Sequence, residues 1–151
     1  MQMVGICSGY FQRFHSGHAE YIKNAVAMFD EVIIIINNDT QQQNKYKDFK
    51  NIRKVMEIKE QIKAQFPDVI FIESIDFDGT VCKTLEKIRN IYKKELLFFC
   101  KDGDRTAENI PETETLQMQK INFIQFNNKK TDSSTRIMKD EMSCNFQSGM
   151  L

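Results

Sequence analysis

Several features that mark common classes of protein are missing from this sequence. Lysine and arginine total 21, as do aspartate and glutamate, so the formal net charge is +0. Binding to nucleic acid or to an anionic membrane surface by charge alone is therefore disfavoured. No apolar run approaches the roughly 18 to 20 residues that a membrane span requires, and the first residues lack the pattern of a signal peptide. We expect a cytoplasmic protein that binds neither nucleic acid nor a membrane.

Cysteine and histidine are sparse and poorly placed for a metal site. The four cysteines lie far apart with no C-x-x-C pair, which argues against a zinc ribbon or a redox dithiol and favours reduced thiols. They are Cys7, Cys82, Cys100 and Cys144. The two histidines, His15 and His18, stand three positions apart in a polar segment that contains glycine. This pair is the first functional signal in the chain.

Five short apolar runs have the character of strands buried on both faces. They are residues 3–7, 31–36, 68–73, 95–100 and 121–126. Apolar residues at helical spacing occupy several of the intervals between them. These stripes cover residues 19–29, 52–66 and 81–92. The alternation predicts an α/β domain, a Rossmann-like doubly wound sheet of five parallel strands with helices on both faces.

The polar segments allow further expectations about organisation. Residues 37–50 look too polar to pack, so we expect a mobile loop after the second strand. Residues 143–151 lack periodicity and are expected to form a loose tail after a single domain over residues 1–142. In an open α/β sheet the ligand binds outside the carboxyl ends of the strands. The loops after the five strands are therefore the candidate site.

The turn after the first strand carries the strongest chemical signal. His15-Ser16-Gly17-His18 leads directly into the first helical stripe. A helix start offers backbone N–H groups and partial positive charge, and imidazoles one turn apart can both donate to one phosphate. Gly17 would let the anion approach the backbone. A metal at this pair is the weaker interpretation, because it would need further ligands and the sequence has no other histidine and no clustered cysteines. Two surface histidines near a turn is the simpler alternative.

His15-Ser16-Gly17-His18 resembles the H-x-G-H signature of the cytidylyltransferase-like nucleotidyltransferases. Other segments resemble that family in the family's order, each after a predicted strand. They are Asn37-Asn38-Asp39 with Lys45 and Lys47, then Arg53, Gly103-Asp104-Arg105 and Ser133-Ser134-Thr135-x-Ile137. The resemblance covers most of the chain and is greatest to members that act on sugar or polyol phosphates, which include glycerol 3-phosphate cytidylyltransferases and heptose 1-phosphate adenylyltransferases.

The resemblance implies a reaction and a set of roles. A phosphate oxygen of a small phosphorylated polyol or sugar would attack the α-phosphorus of CTP or ATP, releasing pyrophosphate and forming a nucleoside diphosphate-linked product. It also implies a homodimer, no metal ligands from the protein, and Mg²⁺ carried by the triphosphate. The implied catalytic residues are His15, His18, Lys45 and Lys47. The implied nucleotide- and phosphate-binding residues are Ser8, Gly9, Tyr10, Phe11, Gly17, Asp104, Arg105, Ser133, Ser134 and Thr135. The implied acceptor-binding residues are Asn38, Asp39 and Arg53.

The sequence also departs from the family pattern. Many relatives have a small hydroxyl residue and an aspartate in the turn before H-x-G-H, where this chain has Tyr10 and Gln12. Arg13 stands where proline is common, and Asp102 replaces a glycine before Gly-Asp-Arg. These changes bear on the acceptor side more than on the triphosphate side.

Simpler interpretations and other classes stay open at this point. Lys45 and Lys47 could be solvated loop lysines, Ser133 a helix cap, and Arg105 an ion-pair partner of a nearby aspartate. The whole domain could also be a catalytically inactive, nucleotide-binding regulatory domain. A flavodoxin-like FMN carrier would share the architecture but would not need His-x-Gly-His.

Overall fold

The computed structural model describes residues 2–103 and 105–126, so the predicted tail lies outside the described residues. The strands are β1 (Met3–Gly9), β2 (Glu31–Ile36), β3 (Ile70–Glu73), β4 (Leu96–Asp102) and β5 (Asn122–Phe126). The helices are α1 (Ser16–Met28), α2 (Asp39–Lys45), α3 (Val55–Gln65), α4 (Cys82–Ile91) and α5 (Thr113–Met118). Each predicted strand is confirmed, and no strand end differs from its prediction by more than two residues.

The five strands form one parallel sheet in the order β3-β2-β1-β4-β5, which confirms the predicted fold. Ile6 at the centre of β1 lies opposite Ile33 of β2 and Phe99 of β4. The chain builds outward from β1 to β3 and then returns to β4 on the other side of β1. The order therefore reverses between β1 and β4, and this switch point opens the crevice in which such sheets bind ligands.

The core has two layers, one on each face of the sheet. In β2, Ile34 and Ile36 pack with α1 and α3, whereas Ile33 and Ile35 pack with α4 and α5. None of these four isoleucines is more than 1% exposed. Covering both faces explains why the strands are continuously apolar rather than alternating.

The prediction that residues 37–50 form an unpacked loop is wrong. Asp39–Lys45 form α2, and Gln41, Gln42 and Tyr46 in this segment are at most 4% exposed. A polar segment can pack in this way only when its buried amides find partners. Polar residues do not always face water, and here tertiary partners allow them to be buried.

Gln42 shows how the buried amides are satisfied. Its Nε2 donates to the carbonyl oxygens of Tyr10 at 2.8 Å and Asn37 at 3.1 Å. Its Oε1 accepts from Gln12 Nε2 at 3.0 Å. The side chain thus fastens α2 to the turn after β1.

The predicted helical stripes are confirmed with local exceptions. Val26 and Met56 lie on the stripes but are 44% and 74% exposed. The short helix α5 was not predicted, because its six residues are too few to show a period. No helix in the described part of the chain is both long and apolar enough to cross a membrane.

Gln42→Leu should destabilise the protein by about 2 kcal/mol, because it keeps the volume but leaves buried carbonyl and amide groups without a partner. Gln43→Leu is the matched control, since Gln43 is exposed on the same helix. Urea unfolding measures both. Equal midpoints for the two variants would contradict the structural role of Gln42.

Candidate functional site

The two histidines build the N-terminus of α1. His15 is the N-cap residue, and its Nδ1 accepts the backbone N–H of Gly17 at 3.0 Å. His18 Nδ1 accepts the backbone N–H of His15 at 3.4 Å, which completes a reciprocal capping box. Because both Nδ1 atoms accept, each neutral ring carries its proton on Nε2. The cap therefore makes each Nε2 a hydrogen-bond donor.

Aromatic contacts fix the two rings side by side. The imidazoles of His15 and His18 stack with centroids 3.8 Å apart and planes at 22°. Phe11 meets His18 edge to face at 5.2 Å, and Phe14 stacks on it at 5.7 Å. Two donors are thus held together at the positive end of a helix, an arrangement suited to a phosphate.

The turn between β1 and α1 is held in an unusual backbone conformation. Phe11 and Arg13 have φ of 53° and 50°, a region that side chains other than glycine seldom occupy. Gln12 between them is fully buried, and its Oε1 and Nε2 bond the backbone N–H and C=O of Arg53 at 2.9 Å and 2.7 Å. The Arg13 guanidinium also donates to the carbonyl oxygen of Asn51 at 3.1 Å. Contacts with the segment before α3 therefore determine this turn.

Helix α2 brings Lys45 to the same turn. Lys45 Nζ lies 4.1 Å from the centroid of the Tyr10 ring and 5.6 Å from that of Tyr46. The two rings meet edge to face with centroids 5.9 Å apart. Lys47 is exposed and lies beyond the last residue of α2. Of the two candidate lysines, the structure thus places Lys45 against the turn that precedes H-x-G-H.

Asn38, a predicted acceptor-binding residue, is engaged within the fold. It is the N-cap residue of α2, and its Oδ1 accepts the backbone N–H of Gln41 at 2.9 Å. Its Nδ2 donates to the carbonyl oxygens of Ser74 at 2.9 Å and Asp76 at 2.7 Å. These bonds join α2 to the loop after β3. An acceptor role for Asn38 stays a prediction.

The other predicted acceptor residues lie near the start of α3. Asp39 Oδ1 accepts the backbone N–H of Val55 at 2.9 Å, which ties α2 to α3. The Arg53 guanidinium is about half exposed and lies 3.6 Å from a carboxylate oxygen of Glu57. Arg53 therefore stays accessible to a ligand beside Glu57, whereas the Asp39 carboxylate is bonded to the backbone of α3.

The structure brings part of the predicted nucleotide site together. Ser8 and Gly9 end β1, and Tyr10 and Phe11 follow in the turn to α1. Arg105 follows β4 and is exposed. The remaining predicted phosphate-binding residues, Asp104, Ser133, Ser134 and Thr135, lie outside the residues that the structure describes.

Lys101 near the end of β4 is the site residue that the sequence analysis missed. Its Nζ donates to Ser8 Oγ at 2.8 Å and to the Ser8 carbonyl oxygen at 3.3 Å, across the switch point. Burial lowers the pKa of Lys101 to about 8, with the charge of Glu112 acting in the opposite direction and that of Arg105 adding to the decrease. A lysine directly after an apolar run can be recognised in the sequence as a candidate site residue. Its contact with Ser8 cannot, because that contact depends on the pairing of β1 with β4.

Metal-binding side chains do not cluster in the described part of the chain. No three histidine, cysteine, aspartate or glutamate side chains come together there as a possible metal site. Cys7, Cys82 and Cys100 are free thiols. The carboxyl edge of the sheet includes imidazole, amine and hydroxyl groups at His15, His18, Lys45, Lys101 and Ser8.

The fold and this H-x-G-H helix start define a nucleotidyltransferase-like α/β domain. The sequence model of the cytidylyltransferase-like family matches residues 6–140, and the chain belongs to that family. This confirms the resemblance drawn from the motifs.

Solved structures share the fold at low identity. A bifunctional NMN adenylyltransferase/ADP ribose pyrophosphatase from Francisella tularensis is 18% identical with a TM-score of 0.66, the match covering 100% of this chain and 44% of that one. A structure of that name complexed with AMP and Mn ion has 16% identity, a TM-score of 0.70 and coverages of 100% and 43%. A lipopolysaccharide core biosynthesis protein from Thermoplasma volcanium GSS1 has 15% identity, a TM-score of 0.63 and coverages of 85% and 99%. The chain thus spans less than half of the Francisella tularensis protein.

Lys101→Met should remove a pH dependence of stability between pH 8 and 10.5. The pKa of Lys101 is about 8 in the folded protein and 10.5 when unperturbed, so the buried charge costs stability below pH 8 and the cost disappears as the pH rises to 10.5. Over this window the wild-type protein should gain up to about 3 kcal/mol relative to the variant.

Urea unfolding at several pH values measures the difference. Lys94→Met is the control, because Lys94 is an exposed lysine just before β4. If the free energy of unfolding depends on pH in the same way for the wild-type protein and Lys101→Met, Lys101 carries no charge that burial destabilises.

Proposed function

We propose that the protein is a nucleotidyltransferase that moves a nucleoside monophosphate from CTP or ATP to a small phosphorylated polyol or sugar. The observation that carries this proposal is the stacked pair of imidazoles, His15 and His18, whose caps leave both Nε2 atoms as donors at the start of α1. Donors held in place before the reaction stabilise charge that develops on a phosphate. Lys45 supplies a cation at the same turn.

The relatives support this class of reaction. One similar structure is named as an NMN adenylyltransferase, and another as a lipopolysaccharide core biosynthesis protein. The second name fits an acceptor that is a sugar or polyol phosphate. Contacts to the base would determine the choice between CTP and ATP.

In the proposed reaction an acceptor phosphate oxygen forms a bond to the α-phosphorus, and the bond from the α-phosphorus to the bridging oxygen of the β-phosphate breaks. Pyrophosphate leaves with the electron pair of that bond, and no covalent enzyme intermediate forms. Two anions must approach each other, so positioning and cationic donors do most of the catalysis. His15 and His18 would donate to the α- and β-phosphates, and Lys45 would lower the repulsion between the reactants.

The remaining roles follow from the family resemblance. Ser133, Ser134 and Thr135 would hold the β- and γ-phosphates, and Asp104 and Arg105 would contact the nucleotide. Asn38, Asp39 and Arg53 would contact the acceptor. The same resemblance supports a homodimer, and the dispersed cysteines favour the cytoplasm.

Mg²⁺ would enter with the triphosphate. The structure of the Francisella tularensis protein with AMP and Mn ion supports the use of a divalent cation in this fold. Imidazole, amine and hydroxyl donors at the sheet edge suit phosphate oxygens better than a hard cation, which prefers oxygen ligands. Phosphate oxygens and water would therefore hold the ion, and the ion would reduce the charge of the phosphates.

The function is tested with a panel of nucleoside triphosphates and phosphorylated acceptors, using pyrophosphate release as the readout. Turnover with one pair supports the proposal. Nucleotide binding without turnover across the panel would instead indicate the catalytically inactive regulatory domain.

His15→Asn and His18→Gln should lower kcat by roughly 100- to 1,000-fold with a smaller change in substrate binding, because the amide oxygen can keep the cap but the amide NH2 does not occupy the position of the imidazole Nε2. Asparagine is a good N-cap residue, and glutamine at the third helical position preserves a capping box. Melting temperatures should therefore change little. Near-normal kcat in both variants would exclude the imidazoles from catalysis.

Lys45→Met should lower kcat more than Lys47→Met, because the structure places the Lys45 amine at the turn and leaves Lys47 exposed beyond α2. Tyr10→Leu should weaken the effect of Lys45 by removing the ring, whereas Tyr10→Phe should preserve it. Steady-state kinetics of the four single variants and of the Tyr10→Leu/Lys45→Met double variant measure this. If Tyr10→Leu and Lys45→Met act additively, the ring does not position the lysine.

A further inference from the structure

Lys101 lies near the end of β4, which pairs with β1 at the point where the strand order reverses. Its amine donates to the hydroxyl and carbonyl oxygens of Ser8 at 2.8 Å and 3.3 Å. Ser8 is only 6% exposed and lies one residue before the end of β1. The amine is therefore held by neutral oxygens at the carboxyl ends of the two central strands.

Lys101 is half-buried, and an ammonium withdrawn from water normally has a carboxylate partner, because an isolated charge is costly to desolvate. Across residues 2–103 and 105–126 the ion pair within 4.0 Å joins Arg53 to Glu57, and no carboxylate pairs with Lys101. Ser8 completes only part of the coordination that three N–H donors require.

Other charged groups face Lys101 from neighbouring elements without pairing with it. Burial lowers its pKa most, the charges of Glu112 and Asp102 raise it, and that of Arg105 lowers it. Glu112 is itself only 6% exposed, and its Oε2 accepts the backbone N–H of Val81 at 3.1 Å. These charges act on the Lys101 amine from a distance, so no carboxylate forms an ion pair with it among the described residues.

We propose that Lys101 and Ser8 form an anion subsite at the switch point that binds a phosphate group of the reactants. The lysine supplies the charge, and the serine hydroxyl holds the amine toward the crevice. The inference rests on the proposed function only in naming phosphate as the anion. It adds a binding residue within β4 to a site otherwise assigned to the loops that follow the strands.

Proton uptake is the signature of such a subsite. A bound phosphate favours the charged form of the amine, so it raises the pKa of Lys101 from about 8 toward the ordinary lysine value. Near pH 8.5 the free protein has lost a large part of this proton, and binding should restore it. The affinity for the anion should accordingly decrease as the pH rises above 8.

The experiment is isothermal titration calorimetry near pH 8.5 in two buffers of different ionisation enthalpy, which counts the protons taken up on binding. The probes are pyrophosphate, Mg-CTP, Mg-ATP and glycerol 3-phosphate, the last also in the presence of an α,β-methylene triphosphate analogue. Uptake with pyrophosphate or the triphosphates assigns the subsite to the nucleotide. Uptake confined to glycerol 3-phosphate assigns it to the acceptor. Both results support the subsite.

Three variants make the test specific. Lys101→Met should bind the responsive anion at least tenfold more weakly at pH 7.5 and should take up no proton. Lys101→Arg should retain binding but lose the pH dependence, since arginine stays charged throughout this range. Lys94→Met, at an exposed lysine, should behave as the wild-type protein.

Equal affinity and equal proton uptake in wild-type protein and Lys101→Met would overturn the inference, and so would failure of all the probes to bind. The binding assay is separate from turnover. Proton uptake by a protein without transferase activity would retain the subsite and reject the proposed function. Normal turnover by Lys101→Met, with no proton uptake by the wild-type protein on binding, would reject the subsite and retain the proposed function.

Discussion

The pairing of β1 with a parallel strand on each side is the constraint on which the candidate site depends. Because β2 and β4 both run parallel to β1, three strands end at one edge of the sheet. His15 and Lys45 follow β1 and β2, and Lys101 lies near the end of β4. Val4 and Ile6 of β1 are fully buried, so a slip of one residue would turn core side chains to the wrong face. The packing that stabilises the sheet therefore also fixes the relative positions of three side chains that can donate hydrogen bonds to a phosphate.

Several polar side chains at this edge serve the fold and the chemistry at once. The capping bonds of His15 and His18 use both Nδ1 atoms and thereby determine which nitrogen of each ring can donate to a ligand. A histidine in a cap is thus compatible with catalysis, since only one of its two ring nitrogens bonds the helix backbone. Lys101 differs, because its amine bonds the neutral oxygens of Ser8 and forms no direct ion pair within the described residues. Such a group is costly to the folded protein alone and stabilising once an anion is bound.

The fold and the H-x-G-H helix start could be predicted because their signals are local. A strand covered on both faces is continuously apolar, and a helix that follows it directly is visible in its period. The packing of α2 could not be predicted in this way, because buried Gln41 and Gln42 depend on partners distant in the sequence. Lys101 shows the same limit, as it lies 93 positions from the serine that it contacts. Polarity along the chain identifies surface segments only where no tertiary partner satisfies the polar atoms.

The departures from the family pattern at positions 10 and 12 have a common physical explanation. The Gln12 amide accepts from the backbone of Arg53 and donates both to that backbone and to Gln42, whereas an aspartate could only accept. The Tyr10 ring faces the Lys45 amine, which a small hydroxyl residue could not do. Both changes therefore strengthen contacts between the first turn, α2 and the start of α3. They leave the histidine caps intact and give no reason against a phosphate at the start of α1. Because the helix that carries Lys45 is fastened by buried amides, movement of this lysine toward a substrate would come from its long side chain rather than from displacement of α2.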